Sequence, residues 1–218
     1  MRYRDRTHAG MALAGMLGAL SLGKATVLAV PNGGVPVAIQ IAEALGIPLG
    51  VEIVRKLQIP GNAEAGFGAV SSSGHVMLNQ PLVDHLGLGK KVIEGIVAAT
   101  LDEIHRRAKV FGAPAPPVKG RTAILVDDGL ASGFTMAAAA SSVSKRGPKK
   151  IIVAAPTAPL SSVMWLRDRD DIDDIVCPDI RDVHPFAVAE AYDDWYDLST
   201  EEAANELKRF ISEINRNK

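Results

Sequence analysis

The chain is poor in the features that mark several large functional classes. It has a single cysteine, Cys177, in 218 residues, which excludes an intrachain disulfide framework and suits a reducing, cytoplasmic setting. Its formal net charge is −1, so no basic footprint points to nucleic acid. No segment is long and apolar enough to cross a bilayer, because Lys24 breaks the best candidate. No Gly-Lys-Ser/Thr follows a glycine loop, which sets aside a P-loop nucleotide hydrolase. Gly66-Phe67-Gly68 opens a G-x-G, but neither a third glycine nor a helix follows, so it is not a dinucleotide fingerprint. No Ser/His/Asp or Cys/His constellation stands out for covalent catalysis. Cys177, in an apolar run before Pro178, reads as a small buried residue. Internal repeats and low-complexity segments are also missing.

What remains is a regular alternation of short apolar runs and amphipathic stretches. Arg2, Arg4 and Arg6 before an apolar segment at 9–22 mimic a secretory signal, but Asp5 and His8 interrupt the basic region. Met11, Leu13, Met16, Leu17 and Leu20 recur at helical spacing, which predicts a helix packed on a core. Strands are expected at 26–30, 49–54, 123–126, 151–155 and 175–177, and helices at 35–45, 90–110 and after Phe134. Pro156 and Pro159 bracket a turn into a short helix, and Ser199 to Glu202 forms a capping box for a final one. Residues 57–79 are rich in Gly, Ser and Asn, with a hairpin expected between 67–71 and 75–78. The charged face of the 90–110 helix, including Glu103, Arg106, Arg107 and Lys109, reads as solvated. Pro114, Pro116 and Pro117 read as a stiff connector into the central strand. The acids at 170–174 read as a solvated turn rather than a metal cluster. The pattern predicts an α/β fold, a mainly parallel sheet with helices on both faces. One domain spans 1–218: a core at about 24–178, a flexible hairpin loop at about 57–79 and a C-terminal appendage at about 179–218.

The most informative stretch is 123–135, A-I-L-V-D-D-G-L-A-S-G-F-T. Its apolar run suits a buried parallel strand that ends in two carboxylates, Asp127 and Asp128, then in a loop of small residues and an alanine-rich helix. A helix N-terminus offers unpaired N–H groups to an anion. Gly133 permits close approach, while Ser132 and Thr135 add hydroxyl donors. The carboxylates would repel a phosphate; they suit vicinal ribose hydroxyls, a metal ion or a developing cation. Pro31-Asn32-Gly33-Gly34, between a strand and a helix, is a second anion site by the same physics or a plain turn. Arg55 and Lys56 follow the second expected strand, where ligands of open α/β sheets bind, although a solvated strand end is the bland alternative.

The 123–135 stretch resembles the 5-phosphoribosyl-1-pyrophosphate (PRPP) signature of type I phosphoribosyltransferases, in particular a bacterial and archaeal subgroup with D-D-G-x-A-[ST]-G-x-T loops. The likeness extends to Tyr3-Arg4-Asp5-Arg6, to 55–70 and to the Tyr192-Asp193-Asp194-Trp195 stretch. It implies transfer of a phosphoribosyl group from PRPP to an acceptor, a nucleobase by analogy, with Mg²⁺ and release of pyrophosphate. Asp127 and Asp128 would hold the ribose hydroxyls and approach the metal through them and through water. Gly129, Leu130, Ala131, Ser132, Gly133, Phe134 and Thr135 would wrap the 5′-phosphate. Asn32, Gly33, Gly34, Arg55 and Lys56 would take pyrophosphate, under a mobile loop carrying Glu64. Two departures stand out: Gly129 sits where many members carry an aliphatic residue, and Asn32 where the subgroup shows arginine. Phe186 or the aromatics at 192–196 would stack on the acceptor or simply anchor the last helix. A homodimer is common in the family. The competing expectation is a regulatory protein that binds PRPP or a nucleotide without turnover.

Overall fold

The computed structural model describes residues 1–112, 116–183 and 185–216, with backbone alone at 63, 64 and 215. In chain order the elements are α1 (Arg6–Gly18), β1 (Ala25–Ala29), α2 (Gly34–Leu45), β2 (Leu49–Val51), β3 (Val54–Ile59), β4 (Asn62–Ser71), β5 (Val76–Leu78), α3 (Gln80–His85) and α4 (Lys90–Phe111). There follow β6 (Thr122–Val126), α5 (Phe134–Ser144), β7 (Lys150–Ala154), β8 (Thr157–Pro159), α6 (Leu160–Arg167), β9 (Asp174–Val176), β10 (Asp179–Arg181), a 3₁₀ turn (Val188–Ala191) and α7 (Thr200–Arg216).

The continuous apolar runs become the central sheet, as such runs do when both faces are covered. Its order is β2-β1-β6-β7-β9 and every pairing is parallel. Side chains alternate between two cores. Val27, Ala29, Ile124 and Val126 join Leu13, Ile41 and Leu207 on the face covered by α1, α2 and α7. Leu28, Ala123, Leu125 and Val153 meet the alanines of α5 on the other. The α/β architecture, a parallel sheet with helices on both faces, is therefore present.

Four local readings need correction. The second strand stops at Val51, and Arg55 and Lys56 belong to β3 in a separate antiparallel sheet of order β3-β4-β5. The chain leaves the central sheet at Glu52, whose buried carboxylate is held by Ser142 Oγ (2.7 Å) and Arg146 Nη1 (3.2 Å). In α1 the buried stripe is Ala9, Gly10, Leu13, Ala14 and Leu17, while Met11 and Met16 face solvent and Leu20 lies exposed just past its end. The small residues let α1 lie close on α2: a Cβ on Gly10 would press on the Val37 carbonyl and Gln40. Between Pro156 and α6 the chain forms β8, which pairs in parallel with β10. Finally, α3 is an element that the apolar pattern does not announce; Asn79 caps it through Leu82 N–H, and Pro81 sits in its first turn.

The hairpin reading holds, with Gly68 opposite Leu78 and Val70 opposite Val76. A second hairpin precedes it, turning at Pro60-Gly61 with Gly61 at φ 80°, as a type II corner requires. Ser199 and Glu202 complete the expected capping box, N–H to carboxylate at 2.9 Å and N–H to hydroxyl at 3.2 Å. Pro114, His184 and the Glu64 side chain lie outside the described residues.

Candidate active site

Chain direction creates the site. From β1 the chain runs through α2 to β2 on one side, and from neighbouring β6 through α5 to β7 on the other. The two loops diverge and leave a crevice at the carboxyl ends of the strands, the usual ligand position in open α/β sheets. A cavity of about 300 Å³ opens there, bounded by Pro31, by Arg55 and Lys56 of β3, by Asp127 and by the 129–133 loop with Thr135. Three segments far apart in sequence thus meet at one hollow.

The 129–135 loop is shaped for an anion. Gly133 precedes α5 at φ 79°, a conformation that favours glycine, and no side chain caps the helix. The N–H groups of the first turn are thereby left to a ligand. The loop is pinned from outside: Leu130 N–H donates to the Thr157 carbonyl (2.9 Å) and Ser162 Oγ to the Ala131 carbonyl (2.5 Å). Phe134 packs on Trp165, ring centres 4.7 Å apart, and does not line the cavity. Gly129 also has a local reason: a Cβ there would overlap Val188 of the 3₁₀ turn. The space that an aliphatic residue would take is filled from another part of the chain.

The two acids have different surroundings. Asp127 opens on the cavity and is otherwise enclosed by protein. Burial, and then the neighbouring charge of Asp128, push its carboxyl well above the usual carboxylate range. Asp127 Oδ1 accepts the Asp128 backbone N–H at 2.9 Å. Asp128 is turned aside, its Oδ2 2.8 Å from Arg6 Nε in a pair with side chains 14% and 8% exposed. The Arg6 guanidinium lies 4.1 Å from the Trp195 ring centre and donates to the Tyr196 carbonyl (3.0 Å). Tyr192 Oη donates to the Asp128 carbonyl at 2.6 Å, and burial pushes its phenol up. Strand-like bonds clip Tyr3 to the same region: its N–H donates to the Ala191 carbonyl (2.7 Å), and the Tyr3 carbonyl accepts from Asp193 N–H (2.8 Å). The aromatics at 192–196 therefore pack as an anchor around Arg6.

In the 31–34 loop the Pro31–Asn32 peptide is cis. Asn32 does not line the cavity: its Nδ2 donates to the Leu198 carbonyl (2.8 Å) and its Oδ1 accepts from Arg107 Nη1 (3.2 Å). Gly33 backs onto the Asp128 carboxylate and Gly34 onto the Val126 carbonyl and Asp127 Cα, so a Cβ on either would overlap them. Gly34→Ala is expected to cost about 2 kcal/mol by overpacking, read as a melting temperature lower by about 4–8 °C. An unchanged melting point would mean the two loops are not packed this tightly.

Arg55 Nη2 lies 2.7 Å from Glu103 Oε1, which Arg107 Nε also approaches at 3.3 Å. The solvated reading of this face of α4 is thus wrong at Glu103 and Arg107, since β3 folds back over it. Cys177 is part-buried, and burial pushes its thiol up to about 12, which leaves no thiolate nucleophile at neutral pH. The acids at 170–174 serve locally: Asp171 accepts from Ser141 Oγ (2.6 Å), and Asp173 from Ile151 N–H (2.7 Å). No group of three or more His, Cys, Asp or Glu side chains suited to a metal occurs among the described residues. Nor is any helix among them long and apolar enough to cross a membrane. Sequence reasoning on the residues alone missed Arg6, Glu103 and Arg107; for Arg6 the only signal was the likeness at 3–6, whereas the aromatics at 192–196 were among the packing candidates.

The sheet is an open, doubly covered parallel α/β sheet with a glycine loop before a helix at its switch point. The chain belongs to the phosphoribosyl transferase domain family, whose model matches residues 12–195. Two curated proteins of Mycobacterium tuberculosis, from strains CDC 1551 and H37Rv and provisionally named phosphoribosyl transferases, are 36% identical over 209 residues. That alignment covers 95% of this chain and 46% of theirs, so the chain spans about half the length of those relatives. Among solved structures, that of TT1426 from Thermus thermophilus is 35% identical, with a TM-score of 0.79 over 96% of this chain and 99% of the other.

Proposed function

We propose that the chain transfers the 5-phosphoribosyl group of PRPP to a nucleobase-like acceptor and releases pyrophosphate. The carrying observation is that the phosphate-shaped 129–135 loop, the acid Asp127 and the cations Arg55 and Lys56 border one cavity. The N–H groups of the loop and the Ser132 and Thr135 hydroxyls would hold the 5′-phosphate, so that remote binding orients the anomeric carbon. The bond from that carbon to pyrophosphate breaks with its electron pair leaving on oxygen, a lone pair of the acceptor forms the new bond, and the acceptor's N–H proton passes to water. Positive charge grows on the ribose ring meanwhile, and Asp127, oriented on the hydroxyls, favours it electrostatically. Arg55 and Lys56 would neutralise the departing anion. No covalent enzyme intermediate is needed.

Mg²⁺ fits this chain as an ion carried with the substrate. The protein brings the Asp127 carboxylate to the cavity, with Asp128 held aside by Arg6, and a diphosphate and water would supply the remaining oxygens. When bound, the ion provides Lewis-acid assistance to the leaving group. A cytoplasmic location and a homodimer belong to the same proposal.

The test is pyrophosphate release from PRPP with Mg²⁺ across purine and pyrimidine bases, orotate and nicotinate, with an Asp127→Asn/Asp128→Asn control. Acceptor-dependent release that disappears in the control is expected. A second reading, a PRPP-binding regulator, draws on the engagement of Asp128 by Arg6 and of Asn32 by Arg107. Under that reading PRPP raises the melting temperature and no acceptor elicits release. Absence of any PRPP binding would sink both.

A further inference from the structure

The 31–34 loop brings no cation of its own to the cavity, yet two arginines from other elements converge beside it. Arg55 of β3 and Arg107 of α4 meet at a single carboxylate oxygen, Glu103 Oε1, at 2.7 and 3.3 Å. Glu103 thus serves two guanidinium groups, with Glu201 also close enough to favour the charge of Arg107. Arg107, 17% exposed, also donates to Asn32 Oδ1 at 3.2 Å and so reaches the loop itself. Arg55 Nε is buried and finds no hydrogen-bond partner among the described residues, an unmet donor of the kind that a ligand satisfies. Arg55 moreover lines both the 300 Å³ cavity and a neighbouring one of about 560 Å³ between β3 and α4, which Glu103 also borders. Arg55 thus borders both cavities and Glu103 the larger one, while Arg107 reaches them through its contacts with Glu103 and Asn32.

We infer that Arg107 supplies the cation that the 31–34 loop lacks, and that Glu103 is an internal counter-anion which holds Arg55 and Arg107 until a diphosphate displaces it. This rests on the PRPP reading above. Glu103 keeps two like charges together in the free protein, where they would otherwise repel. An incoming diphosphate offers more negative charge and several acceptor oxygens, matching the planar forks of both arginines and the open Arg55 Nε–H. Asn32 then serves as the contact that aims Arg107 at the loop.

The experiment is calorimetric titration of the full chain with inorganic pyrophosphate in the presence of Mg²⁺, and separately with ribose 5-phosphate. Arg107→Gln should weaken pyrophosphate about tenfold, the value of one charge-assisted contact, and leave ribose 5-phosphate unchanged. Arg107→Lys, which keeps charge but not the fork, should recover part of the loss. Glu103→Gln should tighten pyrophosphate several-fold by removing the competitor. An unchanged pyrophosphate affinity in Arg107→Gln would overturn the inference. So would equal weakening of both ligands, or a Glu103→Gln variant that loses pyrophosphate, since each marks a strut between β3 and α4. If the unmodified chain binds neither probe, the PRPP reading falls and this falls with it. If it binds both and Arg107→Gln is indifferent, this inference alone fails.

Discussion

Asp127→Asn is expected to lower phosphoribosyl transfer by about a hundredfold or more and at the same time to make the free protein more stable. The two effects share one origin. Under the proposed role, Asp127 has no positive sugar ring beside it before substrate arrives; it has Asp128 and the surrounding protein instead. Its proton is therefore held more tightly in the folded protein than in the unfolded chain. Between the ordinary carboxylate value and Asp127's raised one, the folded state binds more protons, so stability falls as pH rises through that interval. It is regained as pH falls back through it. Asparagine keeps the oxygen that accepts the Asp128 N–H and removes the charge. We expect a gain of about 1 kcal/mol at neutral pH, or about 2–4 °C in melting temperature, and a flatter dependence on pH. Scanning calorimetry in metal-free buffer across mildly acidic to neutral pH measures this. A melting point lowered by the substitution would show that Asp127 is not held against its charge.

Arg6→Met should have the opposite sign and a larger size. The Arg6–Asp128 pair is nearly enclosed, and removing one member leaves the other's charge buried without a partner. Such losses run to about 3–5 kcal/mol, which corresponds to about 6–20 °C in melting temperature for a chain of this length. The guanidinium also gives up its place over Trp195, though the methionine keeps apolar contact with the ring. Adding Asp128→Asn should restore much of the stability, because the orphaned charge is gone, and the double-mutant cycle then isolates the pair. If Arg6→Met melts within a degree or two of the parent, solvent reaches Asp128 far more freely than the geometry shows.

What could be read in advance depended on how local the physics was. The runs at β1, β6 and β7 announce themselves because a parallel strand covered on both faces is apolar at nearly every position. The 129–135 loop was legible for a similar reason: small residues, a left-handed glycine and a helix start are contiguous. Arg6 was not, because its partner lies 122 positions away and a lone arginine in a basic N-terminal stretch looks like any other. Glu103 and Arg107 read as a solvated helix face until β3 supplied Arg55. The end of β2 depended on Glu52 finding Ser142 and Arg146, a contact no neighbouring residue foretells. In α1 hydropathy favoured the large Met11 and Met16, whereas close packing on α2 selected Ala9, Gly10 and Ala14. Asn79 and Pro81 did mark the start of α3, a signal in plain view that the glycine-rich surroundings obscured.

The clip between Tyr3 and residues 191–193 bears on the order of events during synthesis. Asp128 emerges from the ribosome with its strand and helix neighbours close behind, so the sheet around it can assemble early. Its partner Arg6 is already outside, but the ring that seats that arginine, Trp195, and the phenol that steadies its own backbone, Tyr192, come more than sixty residues later. A nascent chain halted before residue 190 would own the phosphate loop and both acids without the clasp that sets the second one. The Arg6–Asp128 clasp is in this sense the last part of this region to close, since it waits on contacts that close some of the longest loops in the fold.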